Sequence, residues 1–162
     1  MRKLTDVSKI NMSYVDLYDV ETGYWFRQET FGAPEIPIGR SDICTVLVSA
    51  EDGSSHNIFV IGGVIAYNEI ARNEEWWVLS IPTFLWKKVY TRGRGRYGHT
   101  CHLVGENVVV IGGMNTKEEG KDVDYCDRRM PADIFSLPLM NYTGTFDAAG
   151  AKRAPPVPND IV

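Results

Sequence analysis

Short apolar runs stopped by glycine recur along the chain, separated by polar turns, and a helical period is weak throughout. Ile58-Phe59-Val60-Ile61 ends in Gly62-Gly63, and Val108-Val109-Val110-Ile111 ends in Gly112-Gly113. Each reads as a buried strand running into a turn. Glycine at such a stop permits backbone angles that a Cβ forbids. The two double glycines lie 50 residues apart.

The flanks repeat as well. Gly39-Arg40 leads into Thr45-Val46-Leu47-Val48, and Gly95-Arg96 leads into Cys101-His102-Leu103-Val104, 56 residues later. The six-residue difference falls in one turn, nine residues over 49–57 against three over 105–107. A surface hairpin loop absorbs such a change without disturbing the strands on either side. Downstream, Val78-Leu79-Ser80-Ile81-Pro82 matches Ile134-Phe135-Ser136-Leu137-Pro138, with an earlier copy in Leu17-Tyr18-Asp19-Val20. Seven residues after Tyr18, Leu79 and Phe135 stand Trp25, Trp86 and Tyr142.

One unit is therefore strand A, a hairpin, strand B with its double glycine, a long loop, strand C, a short turn and an aromatic strand D. The middle unit spans 40–90, with strands predicted near 43–49, 57–62, 76–81 and 85–90. The last spans 96–147, with strands near 99–104, 107–111, 133–137 and 142–146 and an inserted loop at 114–131. The first, 14–30, holds only C and D, near 14–20 and 24–29. A tail at 1–13 and a Pro-rich connecting tail at 148–162 complete the chain.

Composition supports this picture. Of 162 residues, 44% are hydrophobic and 11% aromatic, and β-branched and aromatic residues pack well on a pleated surface. The net charge of −4 does not attract phosphate backbones, so no nucleic-acid partner is expected. The one basic cluster, Arg92-Gly93-Arg94-Gly95-Arg96, reads as a solvated loop. With no apolar run of 18 residues, no membrane span is expected in this chain. The start, Met1-Arg2-Lys3-Leu4-Thr5-Asp6-Val7, lacks the apolar stretch of a signal peptide.

A four-stranded repeat of about 50 residues resembles the kelch propeller blade. Gly62-Gly63 and Gly112-Gly113 resemble the kelch double glycine, Trp25 and Trp86 the kelch tryptophan, and Arg96-Tyr97-Gly98-His99-Thr100 the Arg-x-Gly-His element that opens a blade. The resemblance covers roughly 14–147. It implies an all-β fold, an incomplete kelch-type β-propeller of about two and a half four-stranded antiparallel blades. Tyr142 stands where tryptophan is expected, and Ser41 to Ile43 lack the Tyr-Gly-His part. Blades bury their faces on neighbours. The expectation is thus an open arc, part of a longer protein, whose exposed faces invite self-association.

A narrower resemblance is to kelch ectodomains of filamentous-fungal surface proteins. It is carried by the string from Arg96 to Gly105, by Val110-Ile111-Gly112-Gly113, and by the insertion with Cys126-Asp127. It implies an extracellular or cell-surface location. Of the three cysteines, Cys101 and Cys126 are the candidate disulfide, since the 114–131 loop leaves from the end of strand B beside the start of strand A. Two free thiols are the alternative. Asn11-Met12-Ser13 and Asn141-Tyr142-Thr143 fit the glycosylation pattern.

Repeat architectures of this kind usually bind rather than catalyse, so a non-catalytic interaction or scaffold module with a protein partner and no cofactor is expected. The candidate binding loops carry Arg92, Arg94, Arg96, Lys117, Asp122, Asp124, Tyr125, Asp127, Arg128 and Arg129. The alternative is a relic of a galactose oxidase-like copper enzyme, which binds copper through tyrosines and histidines. Only His56, His99 and His102 are available. In His99-Thr100-Cys101-His102 the strand alternation sends His99 and Cys101 one way and His102 the other, so this segment alone assembles no metal site. Asp122, Asp124 and Asp127 lack the turn glycine of a calcium loop.

Overall fold

A computed structural model describes residues 11–32, 34–66, 69–70, 75–91, 95–115 and 132–157. The strands follow the apolar runs. A hairpin of β1 (Tyr14–Tyr18) and β2 (Trp25–Glu29) comes first, then β3 (Phe31–Gly32). The middle region holds β4 (Cys44–Ser49), β5 (His56–Ile61), the short pair β6 (Val64–Ala66) and β7 (Glu69–Ile70), β8 (Glu75–Ile81) and β9 (Leu85–Thr91). The last holds β10 (Arg96–Tyr97), β11 (Thr100–Val104), β12 (Asn107–Ile111), β13 (Met114–Asn115), β14 (Ala132–Ser136) and β15 (Asn141–Thr143).

The middle sheet runs β3-β9-β8-β5-β4 and the last β11-β12-β14-β15. Apart from β3, every neighbouring pair in these two sheets is antiparallel, as four-strand blades require. The registers of the two copies correspond. Val46 faces Phe59 and Phe59 faces Val78, as His102 faces Val109 and Val109 faces Ile134. In β4 the side chains of Cys44, Val46 and Val48 are buried while Thr45 and Leu47 are exposed, the period-two pattern of a strand with one covered face. β8 is buried almost throughout, because both of its faces are covered.

Three departures from the sequence pattern have local causes. The middle sheet gains a fifth strand, β3, parallel to β9, where the Phe31 N–H donates to the Phe84 carbonyl. Strand β1 stops at Tyr18 because Asp19 opens a turn, accepting from the Glu21 N–H and the Thr22 hydroxyl. Strand β15 stops at Thr143, whose hydroxyl turns back to the Thr145 carbonyl.

Two buried clusters hold the sheets together. The larger joins the middle and last sheets through Val46, Val48, Phe59, Ile61, Trp76 and Val78 on one side and Val108, Val110, Phe135 and Leu137 on the other. Trp76 stacks on Phe135 with ring centroids 3.9 Å apart. The smaller cluster sets Val60, Trp77, Leu79 and Trp86 against Met12 and Val15 of the first hairpin region. Trp86 also donates its indole N–H to the Met12 carbonyl and the Thr30 hydroxyl, each at 3.1 Å. In this hairpin Tyr18, Trp25 and Phe26 are more than half exposed.

The described part of the C-terminal tail is anchored. A 3-10 turn at Gly150–Lys152 presents the Gly150 carbonyl to the Glu106 N–H, and Arg153 pairs with Glu106 and Asp147. Among the described residues no helix is long and apolar enough to cross a membrane.

Candidate functional site

The polar groups converge at one end of each sheet, around the double glycines. Arg40 is buried and donates to the Gly62 carbonyl at 3.2 Å and to Glu75 Oε2 at 2.9 Å. In the next copy Arg96 is buried and donates to the Gly112 carbonyl at 2.9 Å and to Asp133. Each arginine thus ties the end of strand B to the start of strand C in its own sheet. Burying a guanidinium is tolerable only when a carboxylate and carbonyls replace its water. Glu75 stays below the usual carboxylate range. Its partial burial opposes ionisation, but hydrogen bonds from Arg40 and Trp77 and the nearby charges of Arg40 and Lys88 prevail.

The glycines are needed because backbone and side chains approach them closely. A Cβ on Gly63 would lie 2.6 Å from the Ser41 carbonyl oxygen and 2.6 Å from Ile43 Cγ2. One on Gly113 would lie 2.7 Å from the Tyr97 carbonyl oxygen and 2.8 Å from His99 Cβ. All four glycines have positive φ. Gly62 and Gly63 also meet the next sheet: the Gly63 N–H donates to the Arg96 carbonyl, and a Cβ on Gly62 would strike that carbonyl and His99 Cε1.

His99 therefore sits between the two double-glycine turns. It is 5% exposed, and among the described residues neither ring nitrogen has a hydrogen-bond partner. An unpaired buried polar group of this kind costs about 1–3 kcal/mol. Beside it a disulfide joins Cys44 to Cys101, with Cα atoms 5.7 Å apart, across two sheet-edge strands that pack on one another. This replaces the pairing of Cys101 with Cys126 expected from loop reach. A sulfur makes one disulfide, and β4 brings Cys44 to Cys101, whereas Cys126 lies outside the described residues. One ring nitrogen of His99 and the sulfurs of Cys44 and Cys101 lie within 4.8 Å of one another.

No protein-family model matches the chain. A Kelch repeat-containing protein from Arthroderma benhamiae is 36% identical over 115 residues, covering 67% of this chain. The chain is built of kelch repeats. It spans 17% of the length of that relative.

Within this kelch framework the candidate residues separate into groups. Gly62, Gly63, Gly112, Gly113, Arg96 and His99 meet at the seam between the blades. Of the three aligned aromatics, Trp86 is buried, Tyr142 packs partly buried beside Phe135, and Trp25 is exposed on the first hairpin. Arg96 is not a free loop cation, as its place in the Arg-Gly-Arg-Gly-Arg run suggests, because Asp133 and the Gly112 carbonyl hold it inside the blade. Arg92, Arg94, Lys117, Asp122, Asp124, Tyr125, Asp127, Arg128 and Arg129 lie outside the described residues.

The histidines do not gather as a copper site of tyrosines and histidines requires. His56 starts β5 and bonds Ser49 Oγ at 2.8 Å, while His99 lies against Gly62 just past the other end of that strand. A six-residue strand separates them by about 17–20 Å. His102 is exposed, on the opposite face of β11 from the Cys101 sulfur.

Burial, helped by the Arg96 charge, pushes the His99 imidazole down to about 4. The folded state thus binds its proton more weakly than the unfolded chain, whose value is near 6.5. Stability from this group is complete above about pH 6.5 and falls with acidification until about pH 4, with a slope of at most ~1.4 kcal/mol per pH unit. Proton NMR should show the His99 ring titrating near 4 while the fold persists. A midpoint at 6 or above would refute its burial.

Proposed function

We propose that this kelch chain is a non-catalytic module for protein interaction or scaffolding, which presents loops on a repeated frame. One observation carries the reading. The frame recurs at four matched positions, with Arg40, Gly62, Gly63 and Ile43 answered by Arg96, Gly112, Gly113 and His99. The polar groups at this end are spent on blade structure. The 114–131 connection is far longer than a turn between strands needs, which favours a binding role. Lys117, Asp122, Asp124, Tyr125, Asp127, Arg128 and Arg129 are its proposed contact residues, with Arg92 and Arg94 on the neighbouring loop. A cell-surface location belongs to the same proposal, supported by the resemblance to fungal kelch ectodomains and by the Cys44–Cys101 disulfide, which suits an oxidising compartment.

Replacing 117–129 with a glycine-serine linker of equal length should change stability by no more than ~0.5 kcal/mol. Proximity labelling in the source cells should then lose a defined set of partners. The same partner set with both proteins would overturn the loop assignment. Stoichiometric copper in the purified native chain would overturn the non-catalytic reading.

A further inference from the structure

The seam between the two blades holds an unusual combination. Cys44 opens β4 and Cys101 is the second residue of β11, so the two sulfurs belong to different blades. His99 reaches the same point with both ring nitrogens buried and, among the described residues, unpartnered, held between Gly62 and Gly113. The three donor atoms lie within 4.8 Å of one another. Cys44 and His99 are buried and Cys101 is half-buried.

We propose that, once the Cys44–Cys101 disulfide is reduced, the two thiolates and His99 bind a zinc ion, so that this seam exists in a disulfide form and a metal-linked form. Two sulfurs and one imidazole nitrogen are a usual zinc donor set, with the fourth tetrahedral position left for water. Zinc–sulfur and zinc–nitrogen bonds of about 2.3 and 2.0 Å place tetrahedral donors roughly 3.5–3.8 Å apart. The two sulfurs, bonded at about 2 Å in a disulfide, therefore separate by nearly 2 Å once reduced, while the His99 nitrogen, within 4.8 Å of both, draws in by no more than about 1 Å. Cys44 and Cys101 lie on strands β4 and β11, which pack on one another, so the change can be taken up by side-chain rotation.

The chemistry balances with a dithiol as reductant. One dithiol sulfur attacks the disulfide and releases one cysteine thiol. The second dithiol sulfur then releases the other, and the reductant leaves as its own disulfide. Zinc next displaces the two thiol protons to solvent, forming two zinc–sulfur bonds and one bond to the imidazole lone pair, with no further electron transfer. A disulfide oxidant reverses the first step after the ion leaves.

The test uses the full chain with Cys126→Ser, which removes the third thiol. After reduction by dithiol and anaerobic removal of the reductant, the protein is titrated with cobalt(II) and then with zinc. One ion per chain is expected, with tetrahedral visible bands and charge-transfer intensity of two thiolates, both bleached by zinc. Two protons should be released per zinc bound, and the oxidised protein should give none of these signals. Adding Cys101→Ser should halve the charge-transfer intensity. Weak octahedral bands, or equal binding by oxidised protein, would overturn the proposal. So would a reduced chain that loses its near-ultraviolet circular dichroism and fails to regain it with one equivalent of zinc.

Discussion

Trp76→Ala should destabilise the chain by about 3–5 kcal/mol, a large part of the roughly 5–15 kcal/mol that holds a typical domain folded. Trp76 is fully buried and stacks on Phe135 of the neighbouring blade. It also meets Phe59, Tyr90 and Tyr142 edge-on, with centroids 6.1–6.4 Å away. Its removal opens a cavity at the seam where the two blades share their largest core. Trp76→Phe should cost much less, because among the described residues the buried indole N–H has no partner to lose. Trp25→Ala, at a residue 70% exposed, should stay within about 0.5 kcal/mol. Urea denaturation of the three variants checks the order. A Trp76→Ala protein within 1 kcal/mol of the parent would mean the blades do not depend on this stack.

The long strands of the two blades were legible because two signals agree there. An apolar run supplies the period, and a glycine pair or turn residue supplies the stop, so β5 and β12 could be found by register alone. Strand β3 carries only Phe31 and Gly32, too short for any period to show. It forms because the chain crosses beside β9 on its way between blades.

The seam was only half legible. His99 and Cys101 could be placed on one face by strand alternation, but the third member, Cys44, comes from a sequence separation of 57. Its signal was present in the internal repeat. Cys44 precedes Thr45 as Thr100 precedes Cys101, so both cysteines lie at the start of strand A, one position apart in the aligned copies. Adjacent strands A bring such positions together once the blades stack. The carboxylates that hold the arginines were hidden for a related reason. Glu75 pairs across from Thr91 at the start of β8, whereas Asp133 sits opposite Val110, where the middle copy has Trp77 opposite Val60. The acid has moved two residues along the strand, which keeps it on the same face but breaks a position-by-position match.

Arg96→Ala should cost about 3–5 kcal/mol, because it strands the Asp133 carboxylate at a site where its side chain is 19% exposed. The Gly112 carbonyl loses its donor at the same time. Arg40→Ala should cost less. Its partner Glu75 keeps the Trp77 indole N–H at 3.1 Å and the Lys88 ammonium at 3.3 Å, so that carboxylate is not left alone. The double replacement Arg96→Met with Asp133→Leu removes both charges together and should recover most of the loss, since buried ion pairs rarely outperform apolar groups of similar size. A second readout is independent of stability. The Arg96 charge helps hold the His99 imidazole down, so in the Met-Leu protein the His99 midpoint should rise from about 4. Equal losses for Arg96→Ala and the double replacement would show that the guanidinium acts through packing and not through its charge.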